Sequence, residues 1–197
     1  MVPVLTIDEI ASAVPLAQAL VAGGIHVLEI TLRTEAALAA IEAVRAACPD
    51  AVVGAGTLRS AEDVSRCVNS GAQFGVSPGA PERLMDAVGS AGFAFLPGCA
   101  SATEAMRLAD RGYDVMKFFP AEAAGGIRML ASLADPLPGI GFCPTGGITP
   151  DNAHAYLELP NVLTVGGSWV APTSLIRSKD WKAVESRARA AADSLTR

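Results

Sequence analysis

The chain has 197 residues, the size of one ordinary domain, and we expect residues 1–197 to form a single domain. Hydrophobic residues make up 51% of the chain and charged residues only 18%, a balance typical of a packed α/β protein and not of a disordered one. The net charge is −5, and the lysines and arginines form no cluster, so nucleic acid is not an expected partner.

The sequence also argues against several locations and kinds of site. No apolar run approaches the roughly 18 residues of a membrane span, and the N-terminus lacks the basic and hydrophobic regions of a signal peptide. The four cysteines are far apart and form no CxxC pair, so neither a metal site nor a disulfide framework is expected. These features predict a soluble protein of the reducing cytoplasm.

Short apolar segments recur along the chain at intervals of about 21 to 26 residues, which is room for one strand and one helix each. They begin near residues 2, 25, 51, 72, 93, 114, 139 and 162, with the sequences VPVLTI, IHVLEITL, AVVGAGT, AQFGVSPG, FAFLPG, YDVMKFFP, IGFCPTGG and VLTVGGSW. A last helix, near residues 179 to 195, is expected to have no strand after it.

The stretches between these segments carry signals for helix starts. Ser60 and Ser101 each precede an acidic residue by three positions, the pattern of a capping box. Thr34 is expected to cap the second helix, and Thr149 stands before a proline that suits the first helical position. The segments therefore alternate between strand and helix along the whole chain.

Eight βα units in succession predict a single-domain (β/α)8 TIM barrel with parallel strands and an active site at the C-terminal face. An open doubly wound sheet is the competing architecture, but it more often has five or six strands and a GxGxxG fingerprint after the first. In GAGTLR, Arg59 occupies the place of the third glycine, so that fingerprint is absent.

Alternation along the strands predicts which side chains meet inside such a barrel. Alternate residues point inward, and those at the C-terminal strand ends surround the mouth. This places Glu29 and Arg33 of the second segment, Thr57 of the third and Lys117 of the sixth at one mouth. Lys117 and Glu29 could instead form a purely structural ion pair, although burying both charges has a desolvation cost that their attraction often fails to repay.

The surroundings of Lys117 indicate a chemical use for its amine. An unprotonated amine attacks a ketone to form a Schiff base, whereas a lysine in water is almost entirely ammonium. Desolvation by the neighbouring Met116, Phe118 and Phe119 is expected to disfavour the charged form. The run DVMKFFP is therefore consistent with a nucleophilic lysine at the rim of the barrel.

Two glycine pairs close the seventh and eighth segments, in PTGGI at 144–148 and in VGGSW at 165–169. Glycines let backbone N–H groups approach an anion, and barrels commonly bind phosphate in the loops after strands 7 and 8. A pair of tight turns without a ligand is the alternative, since Gly-Gly suits both.

Together these motifs resemble the class I aldolases for 2-keto-3-deoxy-6-phosphogluconate (KDPG), the KDPG/KHG aldolase family. The similar motifs are VLEITLRT, VGAGT, SPG, KFFPAEAAGG, FCPTGGI and GGSW, in that family's order and across essentially the whole chain. The resemblance implies a lyase that cleaves KDPG to pyruvate and D-glyceraldehyde 3-phosphate with no metal or organic cofactor. It also allows cleavage of 4-hydroxy-2-oxoglutarate (KHG) to pyruvate and glyoxylate.

The resemblance further implies roles for individual residues. Lys117 would form the Schiff base, and Glu29 would be the general acid/base. The pyruvate part of the substrate would contact Arg33, Thr57, Pro78 and Thr145, with Arg33 and Thr57 on its carboxylate and Thr145 near the reacting aldehyde. The phosphate would be bound by Gly146, Gly147, Gly166 and Ser168.

Several points stay open at the level of the sequence. The galactonate epimer of KDPG differs at one hydroxyl, so an aldolase for it is an alternative, as are a phosphate-binding isomerase or epimerase and a non-catalytic barrel that binds a sugar phosphate. The resemblance implies a homotrimer. The chain opens directly on its first strand, whereas family members usually carry an additional N-terminal segment over the barrel floor, so we expect a less protected floor.

Overall fold

The computed structural model describes residues 1–194, in which short parallel strands alternate with helices. The strands are β1 (Val2–Leu5), β2 (Val27–Thr31), β3 (Val52–Gly56), β4 (Phe74–Val76), β5 (Phe95–Leu96), β6 (Gly98–Cys99), β7 (Val115–Phe118), β8 (Gly141–Pro144) and β9 (Gly166–Gly167). The helices are α1 (Ala13–Ala22), α2 (Ala37–Ala47), α3 (Ala61–Asn69), α4 (Glu82–Ala91), α5 (Ala102–Asp110), α6 (Gly126–Ala134), α7 (Pro150–Leu157), α8 (Thr173–Ser178) and α9 (Trp181–Ser194). Residues 195–197, the end of the expected domain and of its last helix, lie outside the described residues.

The strands close into a barrel through two joints. Six pair in the order β5-β4-β3-β2-β1-β9 and three in the order β6-β7-β8, all in parallel. Only Pro97 separates β5 from β6, and an isolated parallel pairing of Thr145 with Gly166 joins β8 to β9. This alternating β/α closure is the TIM-barrel fold that the sequence predicts.

The strands fall in the predicted segments, with two departures. The fifth segment forms two short strands because Pro97 interrupts it, and a proline has no N–H to give to a sheet. The eighth segment forms a strand only at its end, at the glycine pair, while Val162 near its start makes a single pairing with Phe142. Both departures lie at the two joints of the barrel.

The hydrophobic core lies mainly between the strands and the surrounding helices. Leu28 and Ile30 of β2 are buried in one cluster, and Met116 and Phe118 of β7 are buried in another. These residues alternate with the polar positions of the same strands, as the sequence predicts. The opposite face of each strand is left to line the barrel interior. Within residues 1–194, no helix is both long enough and apolar enough to cross a membrane.

Helix starts follow the predicted caps except at α2. Ser60 and Ser101 precede α3 and α5, and each hydroxyl accepts a backbone N–H of the first turn, at 3.1 and 3.4 Å. The prediction that Thr34 caps α2 is wrong, because this helix begins at Ala37, two residues too late. The Thr34 hydroxyl instead donates to the Ile7 carbonyl at 2.6 Å, which ties together the loops after β1 and β2.

Candidate active site

A buried ion pair spans the barrel interior. The Nζ atom of Lys117 on β7 lies 3.1 Å from Oε1 of Glu29 on β2 and 3.5 Å from its Oε2. The two residues are only 5% and 3% exposed. Because β2 and β7 are not neighbours in the sheet, the pair forms only when the barrel closes.

Small groups beside Lys117 leave space around its amine. Its partners in the adjacent strands are Gly98 on one side and Cys143 on the other. A Cβ atom at Gly98 would lie 2.6 Å from the Ser77 carbonyl and closer still to the backbone of Pro78, which forms this part of the wall. Pro78 is thus brought next to the lysine strand.

The thiol of Cys143 and the ring of Phe119 lie near Lys117, and neither competes with its amine as a nucleophile. Burial raises the pKa of Cys143 to about 11, while the charge of Lys117 lowers it and that of Glu29 raises it. This thiol therefore stays protonated at neutral pH and is not a competing nucleophile. On another side Nζ lies 5.3 Å from the ring centroid of Phe119, a distance at which an aromatic face attracts a cation.

The alternation that assigns Thr57 to the barrel interior also assigns Val53 and Ala55 to it, and the third strand does not follow this prediction. Val53 and Ala55 pack in the core between strands and helices, so the inward positions of β3 are its glycines. A Cβ atom at Gly56 would lie 2.7 Å from Cγ of Glu29, which shows that this glycine faces the carboxylate. The alternation pattern thus predicts the wrong residues for the inward face of this strand.

The backbone at Thr57 departs from that of a regular strand. It follows the end of β3 with a φ of 68°, a left-handed value that β-branched residues rarely adopt and that carries strain of about 1–3 kcal/mol. Such a backbone breaks the alternation of the strand, so the direction of the Thr57 side chain follows from this turn. Backbone strain of this kind is concentrated at functional sites.

A cavity of about 250 Å³ opens at the C-terminal ends of the strands. It gathers residues from β1 and β9 and from the segments that follow β1, β2, β7, β8 and β9. They are Val4, Thr6, Arg33, Phe119, Thr145, Gly146, Gly147, Ile148, Gly167, Ser168, Ala171 and Thr173. Five of the predicted site residues, Arg33, Thr145, Gly146, Gly147 and Ser168, therefore share one cavity.

The loop after β8 needs its glycines. Gly146 and Gly147 have φ values of 98° and 82°, in the region that favours glycine. Backbone and side-chain bonds hold the loop from both sides: the Glu122 N–H donates to the Gly146 carbonyl, and Asn152 Nδ2 donates to the Gly147 carbonyl, both at 3.1 Å. The loop is thus a fixed turn at the edge of the cavity.

The two glycines of β9 are placed differently from the prediction. Gly166 is buried behind Thr145: a Cβ atom added at Gly166 would lie 3.1 Å from Cγ2 of Thr145. Gly166 does not line the cavity. Gly167 lines it instead, next to the exposed Ser168. The pairing of β9 with β1 and β8, which the sequence alone does not reveal, decides which of the two glycines faces the mouth.

Arg33 supplies positive charge to this cavity. Its side chain is exposed, and in the described residues no carboxylate lies within 4.0 Å of it. A guanidinium without an internal partner is available to an anionic ligand, and its planar fork matches a carboxylate or a phosphate. The cavity therefore combines one cation with a glycine loop, and the ring of Phe119 in its lining lies beside the Lys117 amine.

The family model for KDPG and KHG aldolases matches residues 1–187. The chain belongs to this family. It is 49% identical over 191 residues to the 2-dehydro-3-deoxy-phosphogluconate aldolase of Pseudoalteromonas atlantica, covering 97% of this chain and 89% of that protein. It is 43% identical over 193 residues to the KHG/KDPG aldolase of Escherichia coli, covering 98% of this chain and 91% of that protein.

Solved structures of KDPG aldolases share this fold throughout. The enzyme of Legionella pneumophila, with pyruvate captured at low pH as a covalent carbinolamine intermediate, superposes with a TM-score of 0.94 at 44% identity, covering 96% of this chain and 92% of that one. The enzyme of Zymomonas mobilis with 3-phosphoglycerate gives a TM-score of 0.92 at 46% identity, covering 97% and 90%.

A second cavity of this aldolase family member lies at the opposite end of the barrel. It measures about 370 Å³ and is lined by the beginnings of β7 and β8, including Asp114, Val115 and Gly141. None of the predicted site residues borders it. Five of the predicted site residues instead line the smaller cavity at the C-terminal face, and Phe119 in that lining lies beside the Lys117 amine.

Proposed function

We propose that this chain is a class I aldolase that cleaves KDPG to pyruvate and D-glyceraldehyde 3-phosphate. The observation that carries the proposal is the buried contact of Lys117 with Glu29 beside the mouth cavity, in a chain of the KDPG and KHG aldolase family. A carbinolamine of pyruvate in the Legionella relative is the species that such a lysine forms with a 2-keto acid.

The first half of the reaction builds an electron sink. The Lys117 ammonium gives a proton to Glu29, and the neutral Nζ attacks C2 of the substrate, while the carbonyl electron pair moves to oxygen. Glu29 returns this proton to the oxygen and then carries a second proton from the nitrogen to the same oxygen, so that water leaves and a protonated imine remains. The separation of 3.1 Å lets one carboxylate serve both proton transfers.

The second half breaks the carbon–carbon bond. Glu29 takes the proton of the C4 hydroxyl, the C3–C4 electron pair moves toward the imine nitrogen, and D-glyceraldehyde 3-phosphate leaves as an aldehyde. The resulting enamine takes a proton at C3, and water then releases pyruvate and restores the amine. No electrons are gained or lost overall, so the proton transfers and the imine account for the chemistry.

The substrate spans the cavity from the ion pair to the glycine loop. In this proposal Arg33 and Thr57 hold the pyruvate carboxylate, Pro78 lines the pyruvate pocket, and Thr145 contacts the reacting aldehyde. The phosphate lies against Gly146, Gly147, Gly167 and Ser168. Gly166 is left out of this set because it lies behind Thr145 and does not line the cavity.

The substrate preference of this chain can be measured with three compounds: KDPG, its galactonate epimer and KHG. The Pseudoalteromonas relative is named for KDPG and the Escherichia coli relative for both KHG and KDPG, so we expect KDPG to be preferred and KHG to be cleaved as a second substrate. The galactonate epimer differs from KDPG at one hydroxyl, and comparing kcat/KM for all three compounds orders them. A phosphate isomerase or epimerase would release no pyruvate from any of them.

Borohydride trapping tests the mechanism. Reduction in the presence of pyruvate should leave a stable adduct on Lys117, located by peptide mapping, and Lys117→Met should abolish both the adduct and KDPG cleavage. Lys179, which is exposed, provides the matched control, since Lys179→Met should leave both unchanged. An adduct on an exposed lysine, or none at all, would contradict the proposal.

The assembly and location of the protein remain predictions. We infer a homotrimer from the family and expect a cytoplasmic enzyme. Sedimentation velocity at micromolar concentration tests the trimer, and a monomer with full activity would contradict it.

A further inference from the structure

Thr6 lies at the mouth of the barrel, and none of the roles above uses it. It follows the end of β1, is half-buried, and lines the cavity together with Arg33 and Ser168. Val4, two residues earlier, is in register with Glu29. Because a strand rises about 3.3 Å per residue, the backbone of Thr6 stands about 7 Å nearer the mouth than the backbone of Glu29.

The hydrogen bonds around Thr6 fix how its hydroxyl can be used. The buried Thr31 hydroxyl donates its only hydrogen to the Leu5 carbonyl at 2.8 Å. Oγ1 of Thr6 lies 3.3 Å from Oγ1 of Thr31, so at this contact Thr6 can only be the donor. This contact leaves the lone pairs of the Thr6 hydroxyl unused, and because Thr6 lines the cavity they can accept a hydrogen bond from a ligand there.

A hydrogen-bond acceptor at the position of Thr6 distinguishes the hydroxyl groups of a substrate from its carboxylate and phosphate. An ionised carboxylate or phosphate has no hydrogen to donate, whereas an alcohol has one. In the proposed reaction the C4 hydroxyl gives its proton to Glu29, and the next carbon toward the phosphate is C5. We propose that Thr6 is a specificity-determining residue that accepts a hydrogen bond from the C5 hydroxyl of the substrate. This inference rests on the proposed function and assigns a further contact in the same site.

The inference predicts that the protein prefers KDPG to an analogue without the C5 hydroxyl, and that Thr6→Val removes this preference. KDPG and its 5-deoxy analogue differ only in the C5 hydroxyl, and pyruvate release from each is followed with a coupled lactate dehydrogenase. The wild-type protein should favour KDPG in kcat/KM by about tenfold, the effect of one hydrogen bond. Thr6→Val, which keeps the shape of the side chain, should lower kcat/KM for KDPG by about that factor and leave the analogue little changed. Thr6→Ser should restore the preference.

Two comparisons separate this role from a structural one. Thr6→Val also loses the contact with Thr31, and a merely structural effect would lower kcat/KM equally for both substrates. Ser168→Ala, at the phosphate end, should lower kcat/KM equally for KDPG and for the 5-deoxy analogue. It therefore shows the result expected of a residue that does not contact the C5 hydroxyl. A Thr6→Val variant that still discriminates by the C5 hydroxyl, or that loses both activities alike, would overturn the inference.

The same measurements keep the two proposals apart. If the wild-type protein neither cleaves KDPG nor forms a trapped adduct with pyruvate, the aldolase function itself fails. If it does both, but the ratio between KDPG and the 5-deoxy analogue is the same with and without the Thr6 hydroxyl, only the assignment of Thr6 fails.

Discussion

The inward face of Gly56 gives a direct test of how tightly the site is packed. A Cβ atom at this position would overlap Oε1 of Glu29 and lie 2.7 Å from its Cγ and 2.8 Å from its Cδ. Ordinary contacts between carbon atoms are about 3.5–4.0 Å, so Gly56→Ala must displace the carboxylate by about 1 Å. That displacement is a large fraction of the 3.1 Å between Glu29 and the Lys117 amine.

The expected loss follows from this geometry. A misplacement of about 1 Å in an active site can lower turnover about 100-fold, which corresponds to about 2.7 kcal/mol in the activation free energy. Because Lys117 itself is unchanged, the adduct with pyruvate should still form, but more slowly. The variant should therefore lose kcat for KDPG cleavage and retain borohydride trapping.

Gly54→Ala, a matched substitution in the same strand, distinguishes a loss of packing from a loss of catalysis. Gly54 faces the interior two residues earlier, where a Cβ atom would collide with the ring of Phe74 and not with Glu29. Gly54→Ala should lower the melting temperature about as much as Gly56→Ala but leave kcat within a few-fold of wild type. Near-normal turnover in Gly56→Ala would refute the packed wall around the carboxylate.

Three further experiments test the charges of the site and the burial of the cysteines. Glu29→Gln should lower kcat by about 100- to 10,000-fold with adduct formation slowed but not abolished, and near-normal turnover would contradict its role in proton transfer. Ser168→Asp should raise KM for KDPG far more than for KHG, because the added charge repels a phosphate; equal effects would contradict the phosphate assignment. Burial raises the pKa of Cys67 and Cys99 to about 12 and that of Cys143 to about 11. The folded chain thus keeps protons that unfolded thiols release above about pH 8.5, so the free energy of unfolding in urea should fall from about pH 9 to 11, and a flat profile would contradict this.

The sequence predicts the site where a strand obeys simple alternation. Glu29 on β2 and Lys117 on β7 alternate with apolar residues that pack under the helices, so the sequence pattern alone assigns both to the barrel interior. On β3 the inward residues are glycines, which leave no polar or apolar signal to read. Gly56 therefore escapes prediction, and Thr57 is assigned to the mouth by an alternation that its left-handed backbone does not follow.

Pairing between strands determines the remaining features, and a single sequence does not encode it locally. Which glycine of VGGSW faces the cavity depends on the pairing of β9 with β1 and β8. The level of Thr6 above Glu29 likewise depends on the register of β1 with β2, in which Val4 lies opposite Glu29. These contacts join segments that are far apart in the chain, so composition and periodicity cannot supply them.

The environment of Lys117 also depends on contacts between distant segments more than on the neighbouring sequence. Its sequence neighbours Met116 and Phe118 are fully buried, but they face the helices and do not surround the amine. The groups near Nζ are the carboxylate of Glu29 and the ring of Phe119. Closure of the barrel, and not the apolar run in which Lys117 lies, therefore removes the amine from water and gives it a proton acceptor. Substitutions of Met116 should accordingly change stability, while those that reach Glu29 or Phe119 should change the rate at which the adduct forms.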